Sequence, residues 1–226
     1  MAIDLVVFDM DGVLFEGHNF WLELHQKYGT EKAGLELASK YLTSDYNTLA
    51  ILVARDLWKG KPASVYNSMV KERVYQPGVK EVFAYLKNEN IPTAILSSGP
   101  YDLALRAQRD LGINEVLANR LSIEDGRLTG EVEVMVRDHD KQEIGRKVIA
   151  RFETTPSNTA FVGDSDPDIG LAEIVGLPVA YNSESAALNR VCRYVLRYGE
   201  LKRLISIVQS QSHSDDELSS RGILAS

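Results

Sequence analysis

The sequence predicts an α/β protein with a mostly parallel sheet and a small α-helical cap inserted after the first strand. Three observations carry this. From about residue 77 onward, short apolar runs alternate with stretches of helical spacing, the pattern of a parallel sheet covered by helices on both faces. The opening run Leu5-Val6-Val7-Phe8 shows no polar alternation, as expected of a strand buried on both faces. Residues 15–74 hold four helical stretches and almost no strand signal, too many for a simple crossover. The chain has 226 residues, 44% of them hydrophobic and 25% charged, ordinary for a globular protein.

Each element has its own signal. In the cap, Phe20, Trp21, Leu24 and Tyr28 recur at helical intervals, with Gly29 as the stop. Leu35, Leu37, Ala38, Tyr41 and Leu42 predict a second helix. Leu49, Leu52, Val53, Leu57 and Trp58 predict a third, ended near Gly60 and Pro62, and Val65, Met69 and Val70 a fourth. A helix runs from Pro77 to about Leu86. Pro92 to Leu96 is an apolar run ending at Ser97-Ser98-Gly99, and residues 101–111 are helical, closed by Gly112.

Further on, Val116-Leu117-Ala118 reads as a short strand. Leu121–Ile123 and Leu128–Val134 flank Asp125-Gly126 as a hairpin. Asp140 to Phe152 is helical, and Thr159 to Val162 is an apolar run ending at Gly163-Asp164. Residues 168–175, 184–190 and 199–208 are expected helices, and Leu177 to Ala180 a strand. From Ser210 the chain is rich in Ser, Asp and Gln and reads as a mobile tail. The expected organisation is a core of residues 1–14 and 75–209, a cap of residues 15–74 and a tail of residues 210–226.

Three apolar runs end at polar residues, and in a parallel sheet these ends share one edge, where ligands of such sheets bind. The first ends at Asp9 and Asp11, whose side chains leave an extended chain on one side. Two carboxylates so close repel unless a hard cation such as Mg²⁺ lies between them or one is protonated. The second ends at Ser97, Ser98 and Gly99, a hydroxyl and a helix N-terminus that suit a phosphate. The third ends at Asp164, with Asp168 close behind. Phosphoryl chemistry also needs a cation away from the metal. Lys141, at the start of the helix before the third run, is the best placed, with Lys147 as a rival. Each signal alone has an ordinary explanation as a turn, a cap or a solvated lysine; their joint occurrence at successive strand ends does not.

Together Asp9-Met10-Asp11-Gly12-Val13, Ser97, Lys141 and Gly163-Asp164-x-x-x-Asp168 resemble the four motifs of the haloacid dehalogenase superfamily phosphatases. That resemblance implies a Rossmann-like core of this superfamily's type. Ser97-Ser98-Gly99, Ala118-Asn119-Arg120-Leu121 and Leu128-Thr129-Gly130 are similar to stretches of its phosphoserine phosphatase-like subfamily. The resemblance implies a Mg²⁺-dependent phosphomonoester hydrolase. Asp9 would be the nucleophile and Asp11 the proton carrier. Asp9, the Asp11 main-chain carbonyl and Asp164 would hold Mg²⁺, with Asp168 assisting, and Ser97, Ser98, Gly99 and Lys141 would bind the phosphoryl group. It also implies a cap that moves over the cleft. The same motifs serve a phosphotransferase or mutase, and a non-catalytic scaffold that binds a phosphorylated ligand is a third reading.

The sequence departs from the subfamily where substrate is chosen. The glutamate that would contact a substrate amine is His18 here, with Glu16 near. Arg55 lies in about the region of the arginine that would grip a substrate carboxylate, and Tyr46 and Trp58 could line the pocket. Pro167 stands where an Asn is usual.

The partner expected is a small phosphorylated metabolite. A net charge of −7 argues against a broad nucleic-acid surface. The single cysteine, Cys192, allows no intrachain disulfide, and with no secretion signal or long apolar run the expectation is a cytoplasmic protein that binds no membrane. Nothing in the sequence sets an oligomeric state.

Overall fold

The computed structural model describes residues 2–17 and 19–211. The first strand is β1 (Leu5–Phe8). Four helices follow: α1 (Phe20–Tyr28), α2 (Glu31–Tyr41), α3 (Tyr46–Leu52), which continues as a π-helical turn over Val53–Trp58, and α4 (Ala63–Glu72). The chain then alternates: α5 (Val79–Asn88), β2 (Thr93–Pro100), α6 (Tyr101–Leu111), the hairpin β3 (Glu115–Glu124) and β4 (Arg127–Glu133), α7 (Lys141–Arg151) and β5 (Thr159–Gly163). It closes with α8 (Ile169–Ala172), β6 (Leu177–Tyr181), α9 (Ala186–Val191), β7 (Tyr194–Leu196) and α10 over residues 203–211.

The strands form one seven-stranded sheet in the order β4-β3-β2-β1-β5-β6-β7. All neighbours are parallel except the β3–β4 hairpin. β1 is central, which explains its unbroken apolar run. Val6 and Phe8 join a core with Val82 and Phe83 of α5. Leu5 and Val7 face the other way, into a second core with Val148 and Ile149 of α7 and Leu171 of α8. Phe8 and Phe83 pack with ring centroids 4.8 Å apart. Burying a side chain of this size contributes roughly 1.5–3 kcal/mol.

The cap helices leave and rejoin the core through two adjacent segments. Glu16 N donates to Val74 O and Gln76 N to Leu14 O, each at 2.9 Å. Between them Phe15 and Tyr75 stack with centroids 4.5 Å apart, and the Arg106 guanidinium lies over both rings. A second junction is made by the hairpin. Gly60 N donates to Leu128 O, Leu128 N to Lys61 O and Ala63 N to Gly126 O, at 2.8, 3.0 and 2.8 Å.

Several boundaries differ from expectation. Val116–Ala118 and Leu121–Ile123 belong to one strand, β3, rather than two. The polar pair Asn119-Arg120 breaks the apolar pattern without breaking the strand, because the buried Asn119 is hydrogen-bonded on every side. β2 runs on through Ser97-Ser98-Gly99 to Pro100, with a register shift after Leu96. β7 has no counterpart in the expected elements. Residues 166–168 form a 3₁₀ turn, so α8 itself has only four residues. Ser210 and Gln211 complete α10 instead of opening a tail, and the rest of that expected tail lies outside the described residues.

Candidate active site

The C-terminal ends of β1, β2 and β5 meet at one edge of the sheet, because these strands are parallel neighbours. Asp9 follows β1 and is buried; its backbone N–H donates to Val162 O at 2.9 Å, which fixes it against β5. Asp164 follows β5 and Asp168 lies one 3₁₀ turn later, both buried. Carboxylate oxygens of Asp9, Asp164 and Asp168 all lie within 4.8 Å of one another. Lys141, at the first residue of α7, is buried among them: its Nζ stands 2.7 Å from Asp168 Oδ1 and 3.1 Å from Asp9 Oδ1. Lys147, the rival, points to solvent and pairs with Glu143.

Three buried carboxylates converge around Lys141, and like charges at close range in a dry site repel one another. Burial and this crowding show in their proton affinities. Burial pushes Asp9 up to about 7, against the opposing pull of Lys141. Burial, reinforced by the charges of Asp9 and Asp168, pushes Asp164 up to about 8. Lys141 moves upward: burial alone would lower it, but Asp168 and Asp9 outweigh that. Three buried carboxylates that can each offer an oxygen to one point form a donor set that fits a hard divalent cation.

Asp168 is a positioning residue. Its Oδ1 takes the Lys141 proton donor, and its Oδ2 accepts from the backbone N–H groups of Asp164 and Ser165 at 2.9 and 3.1 Å. Gly12 closes the turn from the other side. It adopts φ +78°, and a Cβ there would collide with the Asp164 carboxylate. Gln76 holds the same turn, its Nε2 donating to Gly12 O at 3.0 Å while its Oε1 accepts from Tyr181 Oη at 3.3 Å.

Asp11 is held apart from the carboxylate cluster. Its Oδ2 accepts from the Phe20 N–H at 3.3 Å, at the start of α1, and Arg73 lies 3.6 Å from its Oδ1. Burial raises its pKa while Arg73 opposes the rise. Ser97 is buried at the end of β2, with its Oγ accepting from Gly99 N at 3.1 Å. Ser98 is fixed through its carbonyl, which accepts from Trp21 Nε1 at 2.8 Å and Asn119 Nδ2 at 3.0 Å. Asn119 also donates to Val136 O and accepts from the N–H groups of Met135 and Val136, each at 2.9 Å. Gly99 lies against Met10 and Asp11, with no room for a side chain.

These residues open into a cavity of about 350 Å³ between the sheet edge and the cap, the size of a small-ligand pocket. Tyr46 and Trp58 line it. Arg55 does not: both of its guanidinium contacts go to Asp56, and it stands in solvent. Glu16 accepts from Tyr198 Oη on the outer surface. His18 lies outside the described residues. The residues that sequence reasoning missed are Arg73, Gln76 and Trp21. A lone arginine at a helix end, a glutamine after a tyrosine and a tryptophan on an amphipathic helix carry no spacing signal for these roles.

The parallel sheet, the buried acidic cluster at its C-terminal edge and the helical insertion after β1 define an α/β protein with a candidate metal and phosphate site beneath a helical cap. The chain belongs to the haloacid dehalogenase-like hydrolases, whose family model matches residues 6–173. Among the proteins it is similar to are phosphoserine phosphatases. The enzyme of that name from Archaeoglobus fulgidus is 29% identical over 182 residues, 80% of this chain and 53% of its own length. That from Methanocaldococcus jannaschii is 28% identical over 180 residues, 78% of this chain and 84% of its own. A solved phospho-aspartyl intermediate analogue of phosphoserine phosphatase superposes with a TM-score of 0.77 at 23% identity, covering 92% of this chain and 100% of that one. A substrate-bound phosphoserine phosphatase complex does so with a TM-score of 0.77 at 22% identity, covering 92% and 99%. Among the described residues, no helix is long and apolar enough to cross a membrane.

Proposed function

We propose that this protein is a Mg²⁺-dependent phosphomonoesterase for a small phosphorylated metabolite, with Asp9 as nucleophile. The observation that carries the reading is the bridging of Asp9 and Asp168 by Lys141 at 3.1 and 2.7 Å, beside Asp164 and at the ends of adjacent parallel strands. An ammonium there serves two ends. It keeps Asp9 ionised and aimed, and it faces the space where phosphoryl oxygens would gather charge.

Asp9, Asp164 and the main-chain carbonyl of Asp11 would hold Mg²⁺, with Asp168 supporting them. When bound, the ion would neutralise the carboxylate excess and draw charge from the phosphoryl oxygens. Ser97, Ser98, Gly99 and Lys141 would orient the phosphoryl group. The Asp9 carboxylate attacks phosphorus, the P–O bond to the alcohol breaks, and an aspartyl phosphate forms. Asp11 supplies the proton to the departing oxygen. Its burial favours the protonated form that this needs. The resulting Asp11 carboxylate then takes a proton from water as that water attacks the aspartyl phosphate, which releases inorganic phosphate and restores Asp9.

The test is phosphate release from a phosphomonoester panel with Mg²⁺ or EDTA, for the wild type and Asp9→Asn. Release should need both Mg²⁺ and Asp9. Release that persists in EDTA, or in Asp9→Asn, would remove the reading.

A further inference from the structure

The two ends of the cavity differ in chemistry. The sheet end carries Asp9, Ser97, Lys141 and Asp164. The cap end is apolar, built from Leu22, Ala38, Leu49 and Val53 with the rings of Trp21 and Trp58. These two rings pack with centroids 5.9 Å apart, and their polar atoms are already engaged within the protein. Trp21 Nε1 donates to Ser98 O at 2.8 Å and Trp58 Nε1 to Thr30 Oγ1 at 3.2 Å. His25 faces the same region, with its Nδ1 2.8 Å from Thr30 Oγ1 and its ring 4.6 Å from that of Trp58. What the two indoles offer the cavity is ring faces; Asn19, His25, Tyr46 and Asp138 are polar groups in the same lining.

Among the described residues, no arginine or lysine lines the cap end; the lining lysine is Lys141, at the phosphoryl end. An amino-acid leaving group would therefore bring its carboxylate into a largely apolar wall where, among the described residues, no arginine or lysine meets it. Two further cap residues extend that wall into water. Leu35 and Leu42 line the cavity and remain 54% and 40% exposed. Together with the apolar lining they give an elongated alcohol a continuous hydrocarbon surface to lie against.

We infer that the substrate is a phosphomonoester of an uncharged alcohol with an apolar body, which lies along the cap wall from Trp21 toward Leu35 and Leu42. This rests on the phosphomonoesterase reading above and selects the substrate class for it. The half-buried Asp138, also in the lining, together with the aromatic faces, would suit a cationic leaving group instead.

The experiment measures kcat/KM of the full chain with Mg²⁺ for ethyl, butyl and hexyl phosphate, 2-phenylethyl phosphate, L-phosphoserine and phosphocholine. Acetyl phosphate serves as a reference with almost no leaving-group body. The expected result is a rise of about threefold for each added methylene, with hexyl and 2-phenylethyl phosphate at least about 30-fold above L-phosphoserine. A flat alkyl series, or L-phosphoserine or phosphocholine equal to or above hexyl phosphate, would overturn the inference while Asp9-dependent hydrolysis stands. No release from any ester or from acetyl phosphate would instead remove the phosphomonoesterase reading, and this inference with it. A second measurement uses the exposed positions, where folding is not at risk. In Leu35→Ser/Leu42→Ser the hexyl-to-ethyl ratio of kcat/KM should fall at least threefold; an unchanged ratio would overturn the placement of the apolar body.

Discussion

Arg73 ties the end of the cap to the second acid of the active site: its Nη2 lies 3.6 Å from Asp11 Oδ1, while its Nη1 donates to Glu23 at 2.5 Å. The side chain is only 11% exposed. One guanidinium thus joins the last residue after α4, the first cap helix and the turn after β1.

Removing Arg73 leaves Asp11 buried without its cation. Arg73→Met should destabilise the fold by about 3 kcal/mol, read by urea unfolding. Its Asp11 pKa should rise, since the largest opposing influence is gone. If Asp11 is the proton donor, the pH–rate limb that needs it protonated should therefore move to higher pH. Adding Asp11→Asn should recover much of the lost stability, a coupling that a double-mutant cycle measures. Additive losses would refute the pairing.

The carboxylate cluster makes stability depend on pH and on metal together. Asp9 and Asp164 have folded pKa values of about 7 and about 8, against about 4 in an unfolded chain. Between those values the folded state holds more protons than the unfolded one, so metal-free stability falls as pH rises from about 4 to 8. A divalent cation that binds the ionised cluster should reverse this. Thermal melts in EDTA should show a decline over that window, and millimolar Mg²⁺ should raise Tm strongly at pH 8 and little at pH 5. A Mg²⁺ effect equal at both pH values would count against the cluster as its site.

His25 works in the opposite sense. Burial against Trp58 lowers its pKa below the ordinary 6.5, with Glu31 opposing. The unfolded chain then takes up a proton that the folded one refuses, so this contribution is lost as pH falls through 6.5. His25→Gln should flatten that part of the wild-type profile. The comparison is the difference between the two unfolding curves from pH 7 to 5; parallel curves would show that His25 titrates freely.

Asn119 holds the Ser98 carbonyl and the segment before α7 at once. Asn119→Asp keeps the shape but loses the bonds donated to Tyr46, Ser98 and Val136 and adds a buried charge. It should cost about 2–4 kcal/mol, and it should lower kcat/KM by releasing the loop that carries Ser97. Normal stability with normal activity would show that the loop is fixed by Trp21 alone.

The alternating core was legible because each strand is short, apolar and ended by a glycine, serine or acid. β1, β5 and β6 match their apolar runs to within a residue. α1 and α6 end where Gly29 and Gly112 take left-handed backbone. β3 was read as two pieces because Asn119 is buried yet polar, and its partners are invisible in one dimension. The π-helical turn at Val53–Trp58 keeps its apolar residues on the inner side, so periodicity alone could not distinguish it. That Asp9, Ser97 and Asp164 come together is legible because neighbouring parallel strands end at one edge, while Lys141 and Asp168 reach them from the start of α7 and the turn after β5. The placements of Arg73 and Arg55 are not legible, since where a long side chain on a cap helix points is settled by packing. Arg73 finds two acids beneath it, and Arg55 finds only its neighbour in water.

The hairpin β3–β4 has a mechanical consequence. The cap is attached at the paired segments near Phe15 and Tyr75, and again where residues 60–63 share three main-chain hydrogen bonds with the hairpin. A lid fastened on two sides cannot swing about one of them. For the cleft to open, the hairpin must travel with α3 and α4, or those three bonds must break. α2, which bears Leu35, takes part in neither set of main-chain bonds. Traffic into and out of the cleft should then be governed by that helix, with the rest of the cap acting as a fixed wall.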